Sequence, residues 1–132
     1  MEIKKKTHYT IKVLIHLALH EQNNNYLIDI KEVSDELVIS YEHTRKIIQD
    51  LVKLNAVKSV RGRNGGIKLN KDTKDIHIYD LIISIEDVNK EDFEHDCANC
   101  NMPLDCKFKH MLKDNYKQFF DNFKSVYLSD LL

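Results

Sequence analysis

The sequence predicts a mainly α protein that carries one small β-hairpin, and three observations predict it. Two short segments with helical apolar spacing, from Asp29 to Leu37 and from Tyr41 to about Leu54, are separated by a tight turn. Two strand-like runs, Val57 to Val60 and Ile67 to Leu69, flank a turn that holds all three glycines of the chain. From Lys107 onward, Phe108, Leu112, Tyr116, Phe119, Phe123 and Val126 recur at steps of 4, 4, 3, 4 and 3 residues, a coiled-coil-like spacing over about five turns. The pattern is that of a winged helix-turn-helix followed by a long C-terminal dimerisation helix. The expected organisation is residues 1–87 for the winged helix-turn-helix, 88–106 for a cysteine-bearing loop and 107–132 for the dimerisation helix.

The N-terminal helix is expected from about Thr7 to His20, preceded by Lys4, Lys5 and Lys6. Ile11, Leu14, Ile15, Ala18 and Leu19 recur at three- and four-residue steps and would form its buried face. Glu21 to Asn25, with three consecutive asparagines, reads as a polar loop. Asp29 and Glu32 make a capping-box-like pair that opens a second helix, with Ile30, Val33 and Leu37 turned to the core. Three residues past Leu37, Ser40 has the chemistry of an N-cap for a third helix. Ile47, Ile48, Leu51 and Leu54 form its apolar stripe, and Glu42, Arg45, Lys46, Gln49 and Lys53 lie opposite. Two helices so joined, the second basic on its outer side, match a helix-turn-helix.

Between the two strand-like runs lies Arg61-Gly62-Arg63-Asn64-Gly65-Gly66. Asn-Gly is a strong hairpin signal because both residues tolerate positive φ. With two arginines around its first glycine, the turn reads as the wing of a winged helix. Asp75 to Asp87 is expected to hold a short strand and then a helix with Ile78, Leu81, Ile82 and Ile85 apolar. In the C-terminal helix, Met111, Phe120 and Tyr127 widen the stripe beyond what a chain of 132 residues covers by itself, so a helix–helix dimer is expected.

Composition sets the functional class. A chain of 132 residues with 31% charged and 42% hydrophobic residues suits one globular domain. No apolar run approaches the roughly 18 residues of a membrane span, and no signal peptide opens the chain, so a cytoplasmic protein is expected. The net charge of −1 hides an asymmetry. Residues 1–70 hold 12 Lys/Arg against 8 Asp/Glu, a balance of +4, whereas residues 71–132 hold 8 against 13, a balance of −5. The N-terminal part is therefore the one suited to a polyanion. There is no Gly-rich phosphate loop, no Ser/His/Asp pattern and no pair of carboxylates in a pocket context, so no enzyme is expected.

If the polyanion is DNA, residues near the start of the recognition helix reach the base edges. Tyr41, His43, Arg45, Lys46 and Gln49 are the candidates, with Ser40 capping the helix and holding a phosphate. Arg61 and Arg63 on the wing would enter the minor groove or grip its backbone. The three cysteines, Cys97, Cys100 and Cys106, fall within ten residues alongside the only proline, Pro103. In a reducing compartment such a cluster points to metal ligands or redox groups rather than a structural disulfide. Cys97-x-x-Cys100 with Cys106-x-x-x-His110 would also furnish a Cys3His zinc site, and a bare thiol switch is a third reading.

The order helix-turn-helix, then Val57-Lys58-Ser59-Val60-Arg61-Gly62-Arg63-Asn64-Gly65-Gly66-Ile67-Lys68-Leu69, then Ile78-Tyr79-Asp80-Leu81-Ile82, then three cysteines and a dimer helix, resembles the NsrR/IscR/CymR family of bacterial repressors end to end. Arg63-Asn64-Gly65-Gly66-Ile67, Cys106-Lys107-Phe108-Lys109 and Tyr127-Leu128-Ser129-Asp130-Leu131 are most similar to its NsrR branch, the nitric-oxide-sensing iron–sulfur repressors. The resemblance implies a homodimer on a two-fold-related double-stranded DNA operator, with cluster damage releasing the DNA. It also implies an iron–sulfur cluster held by Cys97, Cys100 and Cys106, 4Fe–4S being favoured over 2Fe–2S. The fourth ligand would be His8 of the partner subunit, at a position where NsrR-like proteins tend to place an aspartate. His110 is the rival fourth ligand. Val38 stands in the turn where the family commonly has glycine, and a β-branched residue resists positive φ there. A zinc or thiol-switch regulator of the same fold, or a CymR-like regulator that binds a partner protein, remains the alternative reading.

Overall fold

A computed structural model of the chain describes residues 2–23, 27–88 and 106–132. The chain forms two compact units, Met1–His77 with Tyr127–Leu132, and Ile78–Val126. In the first unit, helices α1 (Lys5–Asn23), α2 (Ile30–Leu37) and α3 (Tyr41–Lys53) are followed by strands β1 (Val57–Val60) and β2 (Gly66–Leu69). The expected mainly α architecture with a two-stranded antiparallel hairpin is thus present.

Helix α1 starts two residues earlier and ends three later than expected, and its buried face is rotated. Thr7, Thr10, Val13, Leu14, Leu17 and Ala18 are buried, whereas Ile11 and Ile15 are half-buried and Leu19 is exposed. A purely apolar count finds Leu14 and Ala18 but misses the two threonines of this face. Burying Thr10 is tolerable because its hydroxyl donates to the Lys6 carbonyl at 2.7 Å, leaving no polar group unsatisfied.

The caps of α2 and α3 follow the sequence closely. Asp29 accepts from the Lys31 amide at 3.3 Å, and the Ser40 hydroxyl accepts from the His43 amide at 3.2 Å. Val33 of α2 and Ile47, Ile48 and Leu51 of α3 are buried, while Ile30, Leu37 and Leu54 are half-buried. Burying each large aliphatic side chain stabilises the unit by roughly 1.5–3 kcal/mol.

Val38 takes the left-handed conformation it was expected to resist, at φ 55° and ψ 47°. The reason is the helix end it closes. The Ile39 amide donates to the Ser34 carbonyl at 3.0 Å and the Val38 amide to the Asp35 carbonyl at 3.4 Å, which is the Schellman pattern. Those bonds, with Ile39 buried behind them, outweigh a penalty of about 1–2 kcal/mol for a side chain in that region.

The wing forms with the expected strands but not the expected turn. In the register Val57↔Leu69 to Val60↔Gly66, the five residues 61–65 are left as the loop. Positive φ falls on Gly62 (114°) and Gly66 (153°), not on Asn64-Gly65. The Gly65 amide instead donates to the Gly62 carbonyl at 3.0 Å, and a Cβ at Gly65 would meet the Val60 carbonyl oxygen at 2.2 Å. A loop of this length needs no two-residue turn, so glycine serves close approach at 65 and handedness at 62 and 66. Ile28, fully buried, exchanges two backbone hydrogen bonds with Ile67 and adds a short third rung to the sheet. A 3-10 turn at Thr73–Asp75 and another at Leu128–Leu131 complete this unit, with the Leu128 amide donating to the Ile76 carbonyl at 2.9 Å. The expected strand near Asp75 is reduced to one bridge, His77 with Tyr127.

The second unit contains helices α4 (Ile78–Ile85) and α5 (Lys107–Asp121). Ile78, Leu81 and Ile82 are buried on α4 and Phe120 on α5, with Tyr116 and Phe119 edge-on to Phe120 at 5.2 Å each. The C-terminal helix is shorter than its apolar spacing implied. After Asp121 the chain makes three-residue turns, Phe123 to Phe120, Lys124 to Asp121 and Val126 to Phe123, and the Val126 carbonyl accepts from the Ile78 amide. Three-residue apolar steps suit such turns as well as helix, so periodicity alone overran the end.

Candidate nucleic-acid interface

Helix α3 and the wing together build a polar surface of the first unit. With Thr44, Ile47, Ile48 and Leu51 buried, the helical period turns Glu42, Lys46, Gln49 and Lys53 outward, and Arg45 lies half-buried beside them. Tyr41 is exposed at the first position of α3. A groove of about 540 Å³ runs between this face and the wing, lined by Ile30, Arg45, Ile48, Gln49, Val52, Lys53, Ser59 and Arg61. Three cations and an amide thus converge over an apolar floor. Arg63 is exposed on the wing loop outside that lining.

The residues expected to read DNA therefore do not form one uniform set. Arg45, Gln49 and Arg61 share the groove, whereas Ser40, Tyr41 and Lys46 lie outside its lining. His43 is half-buried with its ring edge-on to Tyr9 of α1, centroids 5.4 Å apart, so it is partly committed to packing. Lys53 and Ser59 line the groove although neither was singled out as a contact. Lys53 was visible as part of the outer face, one turn beyond Gln49.

Arg45 has a partner that the residue list alone did not reveal. Its guanidinium donates to both carboxylate oxygens of Glu42, at 2.6 and 3.3 Å. That hydrogen bond, followed by the guanidinium charge, holds the Glu42 carboxyl below its ordinary value and raises Arg45, with Lys46 lowering Glu42 further.

Two contacts from α1 hold the surface in place. The Lys6 ammonium lies 2.6 Å from the Asp50 carboxylate of α3. The Glu21 carboxylate accepts from the Leu69 amide at 2.7 Å, tying the end of α1 to β2. Glu21, expected in a polar loop, lies in the last turn of α1, whose end the following asparagine run hides in the sequence.

The cysteine segment is seen only at its end. Cys97 and Cys100 lie outside the described residues. Cys106 is half-buried and opens α5 without a side-chain capping bond, and His110, exposed on the first turn, donates its amide to the Cys106 carbonyl at 3.2 Å. His8 is exposed on α1 in the other unit. Among the described residues no three His, Cys, Asp or Glu side chains converge on one point. No helix among them is long and apolar enough to cross a membrane.

Comparison with known proteins gives a consistent picture. The family model described as "Rrf2: Iron-dependent Transcriptional regulator" matches residues 3–132. The chain is 37% identical to the HTH-type transcriptional regulator NsrR of Oceanobacillus iheyensis, over all of this chain and 90% of that protein. It is 31% identical to the regulator of the same name from Bacillus subtilis, again over all of this chain and 90% of that one. In structure it is similar to T. potens IscR, with a TM-score of 0.75 at 23% identity over 99% of this chain and 85% of that one. The oxidised form of Staphylococcus aureus CymR gives a TM-score of 0.73 at 22% identity, over 99% of this chain and 95% of that one.

Proposed function

This chain belongs to the Rrf2 family of transcriptional regulators, and on that premise we propose that it is a homodimeric DNA-binding repressor sensing nitric oxide through an iron–sulfur cluster. The observation that carries the DNA half of this reading is the groove between α3 and the wing, where Arg45, Gln49, Lys53 and Arg61 converge. Cations there neutralise phosphates and release counterions, so affinity falls steeply with salt. Ser40, Tyr41, His43, Lys46 and Gln49 present hydrogen-bonding and stacking groups near the start of the recognition helix. Arg61 and Arg63 suit the minor groove or its backbone.

The donor set supports the sensing half. Cys97, Cys100 and Cys106 supply three soft thiolates, and His8 of the partner subunit an imidazole, a combination that iron–sulfur centres accept. When bound, the cluster supplies iron with an affinity for nitric oxide. The protein's part is to hold Cys106 at the start of α5 and His8 on α1, the helix that Lys6, Tyr9 and Glu21 fasten to α3 and the wing. Release of the ligands would free α1 and the recognition surface to shift between two states.

The reading is tested with protein purified without oxygen. Broad absorption near ~400 nm is expected, bleaching with nitric oxide in step with loss of operator affinity. A protein that stays colourless after anaerobic reconstitution would remove the cluster. One observation favours zinc as the second reading: His110 lies one helical turn from Cys106. Bound zinc in that colourless protein, lost in Cys106→Ser and in His110→Ala, would establish it.

A further inference from the structure

Three non-glycine residues among those described have positive φ, and all three close helices in the same way. Asn55 ends α3, with its own amide on the Val52 carbonyl and the Ala56 amide on that of Leu51. Asp87 ends α4, with its amide on Ser84 and the Val88 amide on Ile83. Asn and Asp are the residues that tolerate this conformation best after glycine. Val38 ends α2 through the same hydrogen bonds and belongs to the class that tolerates it least.

Among the described residues nothing offsets that choice. Val38 is 90% exposed as a residue, so its branched carbons bury little surface on folding. The apolar anchor of the turn is its neighbour Ile39, at 8% exposure. Glycine at 38 would keep every backbone bond of the turn and lose no packing. A side chain that strains the fold and is left in water has its use outside the fold.

Its position indicates what it meets. Val38 stands two residues before the Ser40 cap, on the turn that leads into α3, and Tyr41 beside it is also exposed. Arg45, Lys46 and Gln49 follow along the same helix. We propose that Val38 is a specificity-determining residue that packs its isopropyl group against a thymine C5-methyl in the major groove of the operator. The thymine methyl is the apolar feature of the major-groove floor, and an aliphatic side chain is its natural complement. The proposal rests on the DNA-binding reading of this surface and adds a base identity to it.

The test uses the full-length protein, purified without oxygen, and duplexes that it enriches from a randomised library. Each thymine of the enriched site is replaced in turn by uracil, which removes only the methyl, and affinity is measured at fixed salt. The wild type should lose roughly fourfold at one thymine of each half-site. Val38→Gly should bind the thymine site more weakly by a similar factor and no longer distinguish uracil there. It should also melt a few degrees higher and bind a non-enriched duplex as the wild type does. Val38→Thr, which keeps the branch and one of the two methyls, should retain part of the uracil discrimination without the gain in melting temperature. Unchanged affinity and an unchanged uracil profile in Val38→Gly would overturn the proposal and leave the DNA-binding surface standing. A lower melting temperature for Val38→Gly would overturn the strain on which it rests. Failure of the wild type to enrich any sequence would overturn both readings together.

Discussion

Helices α3 and α5 carry comparable apolar stripes, yet the chain treats them differently. On α3 the stripe is closed over, with Ile47, Ile48 and Leu51 at 0–3% exposure against α2 and β1. On α5, among the described residues, the stripe is covered at its C-terminal end, where Phe120 is buried, while Phe108 and Met111 are 65% and 59% exposed. A helix whose apolar face its own chain covers is part of the scaffold. One whose apolar face stays open points to a second body, which on our reading is the partner subunit.

The largest expected effect follows from that contrast. Leu51→Ala should destabilise the protein by about 2–5 kcal/mol, read from denaturant or thermal unfolding, because it empties a fully packed site. On α5 the double change Phe108→Ser with Met111→Ser should leave far-ultraviolet circular dichroism intact and convert a dimer to a monomer in sedimentation. A variant that still sediments as a dimer would show that this face is not the interface, and the difference between the helices would need another cause.

How much of this was legible beforehand depended on which forces set each feature. Asp29, Ser40 and the spacing of α2 and α3 are local signals, and they located the helix-turn-helix to within a residue or two. Strand composition did the same for the wing. The buried face of α1 was legible only in part: Leu14 and Ala18 are buried as their spacing implies, whereas Thr7 and Thr10 are polar by type, and Thr10 is buried with its hydroxyl satisfied by the Lys6 carbonyl. The turn geometry was misplaced because strand register, not the Asn-Gly pair, decides which glycine needs positive φ. Within the site, residue type and helical phase were enough to gather Arg45, Gln49 and Arg61. The Glu42 clamp on Arg45 and the Glu21 tie to Leu69 depend on side-chain geometry that spacing does not carry. For the cysteines, Cys106 alone lies among the described residues, so Cys97 and Cys100 stand where the sequence left them.

Smaller effects sharpen the polar side of α3. Arg45→Ala should weaken operator binding by about 1–3 kcal/mol at fixed salt, with the melting temperature little changed. An unaltered affinity would move the recognition surface away from this helix. Glu21→Ala tests the wing instead. It removes the acceptor of the partly buried Leu69 amide and should cost about 1–3 kcal/mol of stability. If only stability falls and affinity for DNA is kept, β1 pairing and the Ile28 bridge hold the wing in place without Glu21.

The subtlest prediction concerns Glu42, and it asks whether α3 is as complete electrostatically as it is in its packing. Glu42 holds Arg45 through two hydrogen bonds, and each phosphate that approaches competes with that carboxylate. Because the Glu42 carboxyl lies below its ordinary value of 4.5 when folded, its stabilising effect is fully present above that value. It is lost as the pH falls through the depressed one. The pair is therefore intact at neutral pH, and on our reading Arg45 would reach DNA by leaving it or by carrying Glu42 into the interface. Glu42→Gln should remove one repulsive charge and loosen the guanidinium. Binding to a duplex of arbitrary sequence should then tighten, and log Kd should depend on log salt more steeply by up to about 0.9. The variant should also lose the acid-range dependence of stability that this carboxylate contributes. An unchanged salt slope would mean that Arg45 binds phosphate with Glu42 still attached, and the ion pair would then be part of the recognition surface rather than a restraint on it.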